Sequence, residues 1–114
     1  MGAAMIKPIT LPEPVAAYFE ADNRDIEAIA RCFTHDAVVK DEGHTHEGIA
    51  AIRRWKAETS TKYTYTSEPH SVEQRDGLTI VTSRLTGDFP GSPVDLRFFF
   101  RLERGKIALL ETVP

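Results

Sequence analysis

The stretch from Val94 to Glu103 alternates between a wholly apolar row and a mainly charged row, and this alternation constrains the fold more than any other feature. One row consists of Val94, Leu96, Phe98, Phe100 and Leu102. The other consists of Asp95, Arg97, Phe99, Arg101 and Glu103. A period of two is that of a β-strand with one face in the core. The stretch therefore predicts a strand whose apolar row lies inside the molecule.

The rest of the second half repeats this period between turn signals, which predicts an antiparallel meander. Three further strands are predicted there: one beginning with Tyr63 to Thr66, then Leu78 to Phe89 and Ile107 to Val113. The turns that separate the strands are Asp76-Gly77, Pro90 to Pro93 and Arg104 to Lys106. Pro69 cannot donate a hydrogen bond to a neighbouring strand, so it indicates a bulge or an edge position.

The first half has helical periodicity, with apolar residues at i, i+3, i+4 and i+7. Pro12 and Pro14 suit the first turn of a first helix, and Asn23 is expected to cap a second. The buried stripes of the three helices are Val15, Tyr18, Phe19 and Asp22; Ile26, Ile29, Ala30 and Phe33; and Ile49, Ile52, Trp55 and Thr59. A short strand, Ala37 to Asp41, precedes the third helix, which begins near Gly48.

Helices followed by a run of strands predict an α+β fold, with three N-terminal helices packed on a strongly curved, mostly antiparallel sheet. Such a sheet leaves a conical interior, which is either filled by side chains or forms a pocket. The 114 residues are enough for one domain. We expect a flexible tail over residues 1–10 and a single domain over residues 11–114.

Composition excludes several function classes. The net charge of −3 provides no basic field for nucleic acid. No apolar run approaches the roughly 18 residues of a membrane span, and the chain has no Gly-rich phosphate loop, so no organic cofactor is expected. The single cysteine, Cys32, lies on an apolar-flanked helical segment and is expected to be a small buried hydrophobe. A reducing, cytoplasmic setting fits this cysteine usage.

The residues from Phe33 to Trp55 carry a family resemblance. The matching positions are Phe33, Asp36, Ala37, Val38, Val39, Asp41, Gly43, Gly48, Ile52 and Trp55. With the later stretches 87–96 and 105–107, they resemble the SnoaL-like branch of the nuclear transport factor two-like superfamily, which also contains ketosteroid isomerase and scytalone dehydratase. The resemblance covers residues 12 to 114 and implies a cone-shaped α+β barrel. It does not specify an activity, because this cone serves isomerases, dehydratases, cyclases and binding modules.

Asp41 and Tyr18 are the candidate catalytic residues. The phase of the first strand turns Asp41 inward with Val39, while Lys40 faces water. The resemblance implies that Asp41 is a general base in an apolar cavity, which suits proton abstraction from carbon. It also implies that Tyr18 donates to a developing oxyanion, if the loop after the first helix is one residue shorter here. The alternatives are a turn-capping Asp41 and a buried Tyr18 whose hydroxyl is satisfied at the pocket rim.

The isomerases of this superfamily use a second, protonated aspartate on a late strand, and this chain departs from that pattern. The nearest acid, Asp95, lies in the outward row of its strand, so Phe98 or Arg97 takes the corresponding position. Neither is a carboxylic acid, and we therefore do not expect steroid isomerisation.

His44 and His46 lie in a predicted polar turn, Glu42 to Glu47, within the densest set of titratable groups in the chain. Two histidines in a turn with no third histidine-rich segment do not predict a metal site. A histidine at the cavity mouth is instead an auxiliary acid or base near neutral pH. The ligand pocket is expected to be lined by Trp55, Tyr63, Tyr65, Phe98 and Val39.

The sequence thus predicts a small-molecule pocket protein, with proton transfer at carbon of the isomerase, dehydratase or cyclase type as its chemistry. The alternative is a non-catalytic ligand-binding or dimerisation module, so enzyme activity is left open. A homodimer is expected through the outer face of the sheet, because Phe99 in the outward row is flanked by Arg97 and Arg101.

Overall fold

The computed structural model describes residues 9–22 and 25–114. Within these ranges, no helix has both the length and the apolar character that a membrane span requires.

The two short N-terminal helices begin as their sequences dictate. Helix α1 spans Glu13–Ala21, with a proline in its first turn, and buries Val15 and Tyr18. Helix α2 spans Ile26–Arg31, and the Asp25 side chain caps it by accepting a 3.1 Å hydrogen bond from the Ala28 N–H. Asn23, the cap expected from the sequence, lies outside the described residues.

Strand β1 is longer than the sequence predicted, because it spans Phe33–Asp41 and takes in a residue assigned to the helical stripe. Phe33 is instead the first strand residue and pairs with Ile107. The Ile107 N–H also donates a 2.7 Å hydrogen bond to the Cys32 carbonyl. Pairing with a distant strand therefore ends α2 earlier than the apolar periodicity indicates.

The predicted polar turn over 42–47 is wrong in its second half. Glu42 and Gly43 form a tight turn, with φ of 51° and 79°. The chain then returns as strand β2, His44–Glu47, antiparallel to β1. Glycine accommodates the positive φ without strain, and the resulting hairpin keeps the following residues hydrogen-bonded to β1. Helix α3, Gly48–Lys62, starts directly after this strand.

A six-stranded sheet completes the fold and confirms the predicted α+β cone, with three helices on a curved, mostly antiparallel sheet that is not closed. Its remaining strands are β3 (Tyr65–Arg75), β4 (Leu78–Gly87), β5 (Val94–Glu103) and β6 (Lys106–Val113). The spatial order is β2-β1-β6-β5-β4-β3. Strands β1 and β6 are parallel, and every other pairing is antiparallel.

Two details of the meander refine its prediction. The register of the edge strand β3 shifts between Pro69 and Ser71, so the proline marks a bulge as expected. Strand β4 ends at Gly87, so Phe89 lies in the connection to β5 and not in the strand as predicted. The turn residues that follow, Pro90 and Gly91, end the pairing before Phe89 can join it.

The core lies between the helices and the concave face of the sheet, where the apolar row of β5 is directed. Phe98 and Phe100 are buried there against Tyr18, with ring centroids 6.4 and 5.7 Å away. Phe19 packs edge-on against both phenylalanines. Cys32 is also buried, and burial raises the pKa of its thiol, as expected of a cysteine that acts as a small hydrophobe.

Gly87 is required where β4 approaches the start of β3. A Cβ at this position would lie 2.7 Å from Tyr65 Cβ and closer still to the Thr64 carbonyl oxygen. We expect Gly87→Ala to destabilise the protein by about 1–3 kcal/mol, because backbone must shift to relieve the overlap. Urea unfolding measures the change. Gly77→Ala is the matched control, since a Cβ there meets open space and only the positive φ of 78° opposes it; an equal or smaller cost at Gly87 would contradict the expectation.

Candidate functional site

A cavity of about 400 Å³ lies between α3 and the concave face of the sheet. This volume falls in the range of about 300–1,000 Å³ that is usual for small-molecule sites. Its apolar and aromatic lining consists of Tyr18, Trp55, Tyr63, Tyr65, Leu85, Phe89, Pro90, Val94, Leu96 and Phe98. Its charged and polar lining includes Asp22, Asp41, Glu42, His44, His46, Lys56, Glu58, Thr59, Lys62 and Thr112. The cavity is open to solvent, and the exposed residues of its lining are Glu42, His44, Glu58, Lys62, Pro90 and Gly91.

Asp41 is held in the cavity wall by two neutral donors from distant parts of the chain. Trp55 Nε1 donates to Asp41 Oδ2 at 2.9 Å, and Thr112 Oγ1 donates to Asp41 Oδ1 at 2.5 Å. The parallel pairing of β1 with β6 brings Thr112 to this carboxylate, because Lys40 is in register with Glu111. One hydrogen bond to each oxygen orients the carboxylate, and no cation of the described residues forms a salt bridge with it.

Tyr18 is 1% exposed and lines the same cavity. Burial, reinforced by the negative charge of Asp22, raises the pKa of Tyr18 well above its usual value near 10. The phenol therefore keeps its proton across the whole physiological pH range and remains a hydrogen-bond donor. The structure thus brings the two sequence-predicted catalytic residues, Asp41 and Tyr18, together at one cavity.

The cavity wall contains a buried ion pair that was not predicted from the sequence. Lys56 is 2% exposed and forms a salt bridge with Asp22, which is also buried. Lys56 Nζ donates to Tyr65 Oη at 3.1 Å and lies 3.5 Å from Tyr18 Oη. Tyr65 Oη in turn donates to Asp22 Oδ1 at 2.9 Å. We call these four residues, Tyr18, Asp22, Lys56 and Tyr65, the lysine cluster.

One sequence signal could have identified this cluster. Lys56 lies seven residues after Ile49 and four after Ile52, and Asp22 lies seven after Val15, so each occupies a core-facing helical position. A charged residue in an apolar stripe is rarely buried without a partner. The presence of one lysine and one aspartate on two such stripes indicates a pair, but only the tertiary structure shows that Asp22, directly after α1, meets Lys56 of α3.

The two histidines lie on a strand and not in a turn. His44 is directly opposite Asp41, and His46 is directly opposite Val39. Residues paired across two strands project to the same face of a sheet, so both histidines point toward the cavity and line it. The His46 ring lies 6.0 Å from the Trp55 ring. Over residues 9–22 and 25–114, no group of three or more His, Cys, Asp or Glu side chains is arranged to hold a metal ion.

The predicted pocket residues divide into lining and core. Trp55, Tyr63, Tyr65 and Phe98 all line the cavity, with Tyr63 packed against the ring of Phe89 near the opening. Val39, also predicted to line it, is 0% exposed within the core and does not contribute to the cavity surface. Its inward phase was predicted correctly, but an inward residue lines a cavity only where no other side chain covers it.

Comparison with known proteins identifies the family. Residues 15–110 match the SnoaL-like domain, and the chain belongs to this family. No curated protein matches the sequence significantly. The family resemblance inferred from the sequence is confirmed, and the protein is a pocket protein of the SnoaL-like family.

Three solved structures illustrate what the chain is similar to. A Sinorhizobium meliloti protein, provisionally named a polyketide cyclase, shares 39% identity over 90% of this chain and 95% of that chain, with a TM-score of 0.86. SalBIII, an epoxide hydrolase/cyclase-like enzyme of pyran ring formation in salinomycin, shares 25% identity over 88% and 86%, with a TM-score of 0.75. A Catenulispora acidiphila protein with a ketosteroid isomerase-like fold, solved with trimethylamine, shares 20% identity over 92% and 87%, with a TM-score of 0.81. The last comparison supports the fold alone.

The raised pKa of Tyr18 makes stability depend on alkaline pH. The phenol loses its proton near pH 10 in the unfolded chain, but only at higher pH in the folded protein. The contribution of Tyr18 to the free energy of unfolding is therefore complete below about pH 10. It is lost as the pH rises through the folded-state pKa, by up to about 1.4 kcal/mol per pH unit. We expect Tyr18→Phe to show a shallower fall of the unfolding free energy above pH 10 than the wild type. Urea unfolding at a series of pH values measures it, with the slopes at pH 7–8 as the control; equal slopes above pH 10 would contradict the assignment.

Proposed function

We propose that this protein binds a small apolar or aromatic carbonyl compound in its cone and catalyses proton transfer at carbon. The observation that carries this proposal is Asp41, a carboxylate that two neutral donors hold at the wall of a largely apolar cavity. Asp41 lines the same cavity as Tyr18, so its carboxylate is placed to accept a proton from a ligand carbon. The similarity to proteins named as cyclases supports chemistry of this class.

In the proposed reaction, Asp41 removes a proton from the carbon next to the ligand carbonyl. The C–H bond breaks, an O–H bond forms on Asp41, and the electron pair moves to the carbonyl oxygen to give an enolate. Tyr18 donates its hydroxyl proton in a hydrogen bond to that oxygen. Return of the proton to another carbon gives isomerisation, attack of the enolate on a second carbonyl gives cyclisation, and loss of a β-hydroxyl as water gives dehydration.

The histidines are proposed to act as auxiliary acids or bases at the opening. His44 is exposed and opposite Asp41, whereas His46 is half-buried beside Trp55. An imidazole can both accept and donate a proton, so either side chain can return a proton to a leaving hydroxyl or to solvent. A cytoplasmic location is part of the same proposal, and it rests on the unpaired Cys32.

The alternative function is a non-catalytic ligand-binding module, and Asp41 distinguishes the two. We expect Asp41→Asn to slow proton exchange at carbon by about 10²–10⁴-fold, because it removes the base and leaves the cavity shape unchanged. Deuterium incorporation next to the carbonyl of small aryl ketones in D₂O, followed by NMR, measures this without a known substrate.

Asp36→Asn is the matched control, since Asp36 is an exposed aspartate on the same strand that accepts a 3.3 Å hydrogen bond from Thr34. It should retain the wild-type exchange rate. Wild-type protein that binds aryl ketones but exchanges no faster than buffer, or an Asp41→Asn variant as active as the wild type, would favour the binding module.

We also propose a homodimer built on the outer face of the sheet. Phe99 is half-exposed there, with the Arg97 guanidinium 5.6 Å from its ring. Asp95 on the same face accepts a 3.1 Å hydrogen bond from Arg84 of β4. An aromatic residue among arginines and acids is typical of an interface centre, and a two-fold contact presents this patch to itself.

Phe99→Glu should convert the dimer to a monomer, because it places a carboxylate at the centre of the proposed contact. Sedimentation velocity at micromolar concentration measures the oligomeric state. Thr61→Glu adds the same charge on an exposed position of α3 and should leave the dimer intact. A wild-type monomer, or a Phe99→Glu variant that still dimerises, would exclude this interface.

A further inference from the structure

The three N–H bonds of Lys56 have three partners within the cluster. Its ammonium group pairs with Asp22, donates to Tyr65 at 3.1 Å and lies 3.5 Å from the Tyr18 oxygen. An ammonium group has three donors, so none remains for direct contact with a ligand. A protonated, ion-paired amine is also no nucleophile. Lys56 therefore acts on a ligand only through the residues that it contacts.

Tyr18 is the member of the lysine cluster that can pass this influence on. Its oxygen accepts from Lys56, and its own proton has no acceptor among the described residues. Tyr18 lines the cavity together with Lys56 and Tyr65, the residues around its hydroxyl, so that proton is placed to reach an oxygen atom of the ligand. A cation beside the phenol oxygen strengthens the phenol as a donor, since hydrogen bonds in a chain polarise one another.

Trp55 provides a second contact of the ammonium group within the site. Lys56 Nζ lies 4.8 Å from the centroid of the indole, whose N–H donates to Asp41. The ammonium group therefore lies beside Tyr18, the proposed oxyanion donor, and beside Trp55, which donates to the proposed base Asp41. It is within 3.5 Å of the Tyr18 oxygen, whereas Asp41 receives its hydrogen bonds from Trp55 and Thr112.

We propose that Lys56 is a positioning residue that makes the cavity selective for ligands whose oxygen is, or becomes, an anion, namely enols and phenols. This inference rests on the proposed function and assigns its substrate class. Proton transfer to Asp41 conserves the charge of the site but moves it from the carboxylate to the ligand oxygen at Tyr18. Lys56 favours the second location, because an opposite charge within about 4–6 Å stabilises an anion.

Tyr18 shares its proton and does not lose it, because burial, and after it the negative charge of Asp22, raises the pKa of the phenol. The Asp22 carboxylate also balances the charge of Lys56. The phenol thus stays protonated while the ligand oxygen carries the negative charge. The lysine cluster as a whole adds no net charge to the cavity, and its effect on a ligand comes from the position of the ammonium group beside Tyr18.

The test is the ionisation state of bound 4-nitrophenol, whose neutral and anionic forms absorb at different wavelengths. The Asp41→Asn variant is used, because asparagine represents the protonated carboxyl that exists after proton transfer. We expect the bound dye to ionise at lower pH than the free dye, with the anion bound at least about tenfold more tightly than the neutral phenol. Two results with the Asp41→Asn protein, which retains Lys56, would each overturn the inference. The bound dye ionises at the same pH as the free dye or at a higher pH, or the dye does not bind.

Further variants in the Asp41→Asn background isolate the lysine. Lys56→Met alone leaves Asp22 buried without a partner, so Lys56→Met is combined with Asp22→Asn to remove both charges. We expect this combination, and Tyr18→Phe, to remove most of the preference for the anion, and Lys56→Arg to retain part of it. Lys40→Met makes the same chemical change on the exposed face of β1 and should have no effect.

The outcome is separable from that of the proposed function. A folded Lys56→Met/Asp22→Asn combination, verified by circular dichroism, that still prefers the anion would exclude the role of Lys56 even if Asp41 proves essential for exchange at carbon. Preference for the anion in a protein that exchanges no carbon-bound protons would support the inference and assign it to a binding module.

Discussion

The parallel pairing of β1 with β6 is the constraint on which the rest of the structure depends. It joins the N-terminal helical half of the chain to the meander, and all the other strand pairings are between neighbours in the chain. The pairing also sets the site, because it places Thr112 beside Asp41. Closing so long a loop costs chain entropy, and the buried contacts of Phe33, Val39 and Ile107 with the core offset that cost.

The cavity combines an apolar lining with charges that are placed in two different ways. The Asp41 carboxyl group has no salt-bridge partner in the part of the chain that the structure describes, and the neutral donors Trp55 and Thr112 hold it. Lys56 and Asp22 instead neutralise each other within the lysine cluster. An unpaired buried charge is costly, whereas a paired and hydrogen-bonded one is tolerated. The site therefore contains one carboxylate that is held by neutral donors and one buried ion pair.

Most of the architecture followed from local patterns in the sequence. The alternation over Val94–Glu103 predicted β5 with its correct bounds and its inward row, and Pro69 and Asp76-Gly77 predicted the bulge and a hairpin. The local pattern did not predict the secondary structure correctly where pairing with a distant segment determined it. Phe33 reads as helical but pairs with Ile107, and the stretch that reads as a polar turn forms β2 because β1 offers it an open edge.

For the candidate site, the sequence by itself determined which residues face inward. The strand period directed Asp41 and Phe98 to the interior, and the helical period did the same for Tyr18 and Trp55. Only the tertiary structure decided which of these inward residues meet, because periodicity fixes a direction relative to the local element and not a distance between elements. It covered Val39 within the core, brought Thr112 to Asp41, and paired Lys56 with Asp22 across 34 positions of sequence. Burial of these two charges is tolerated because they are buried as a pair.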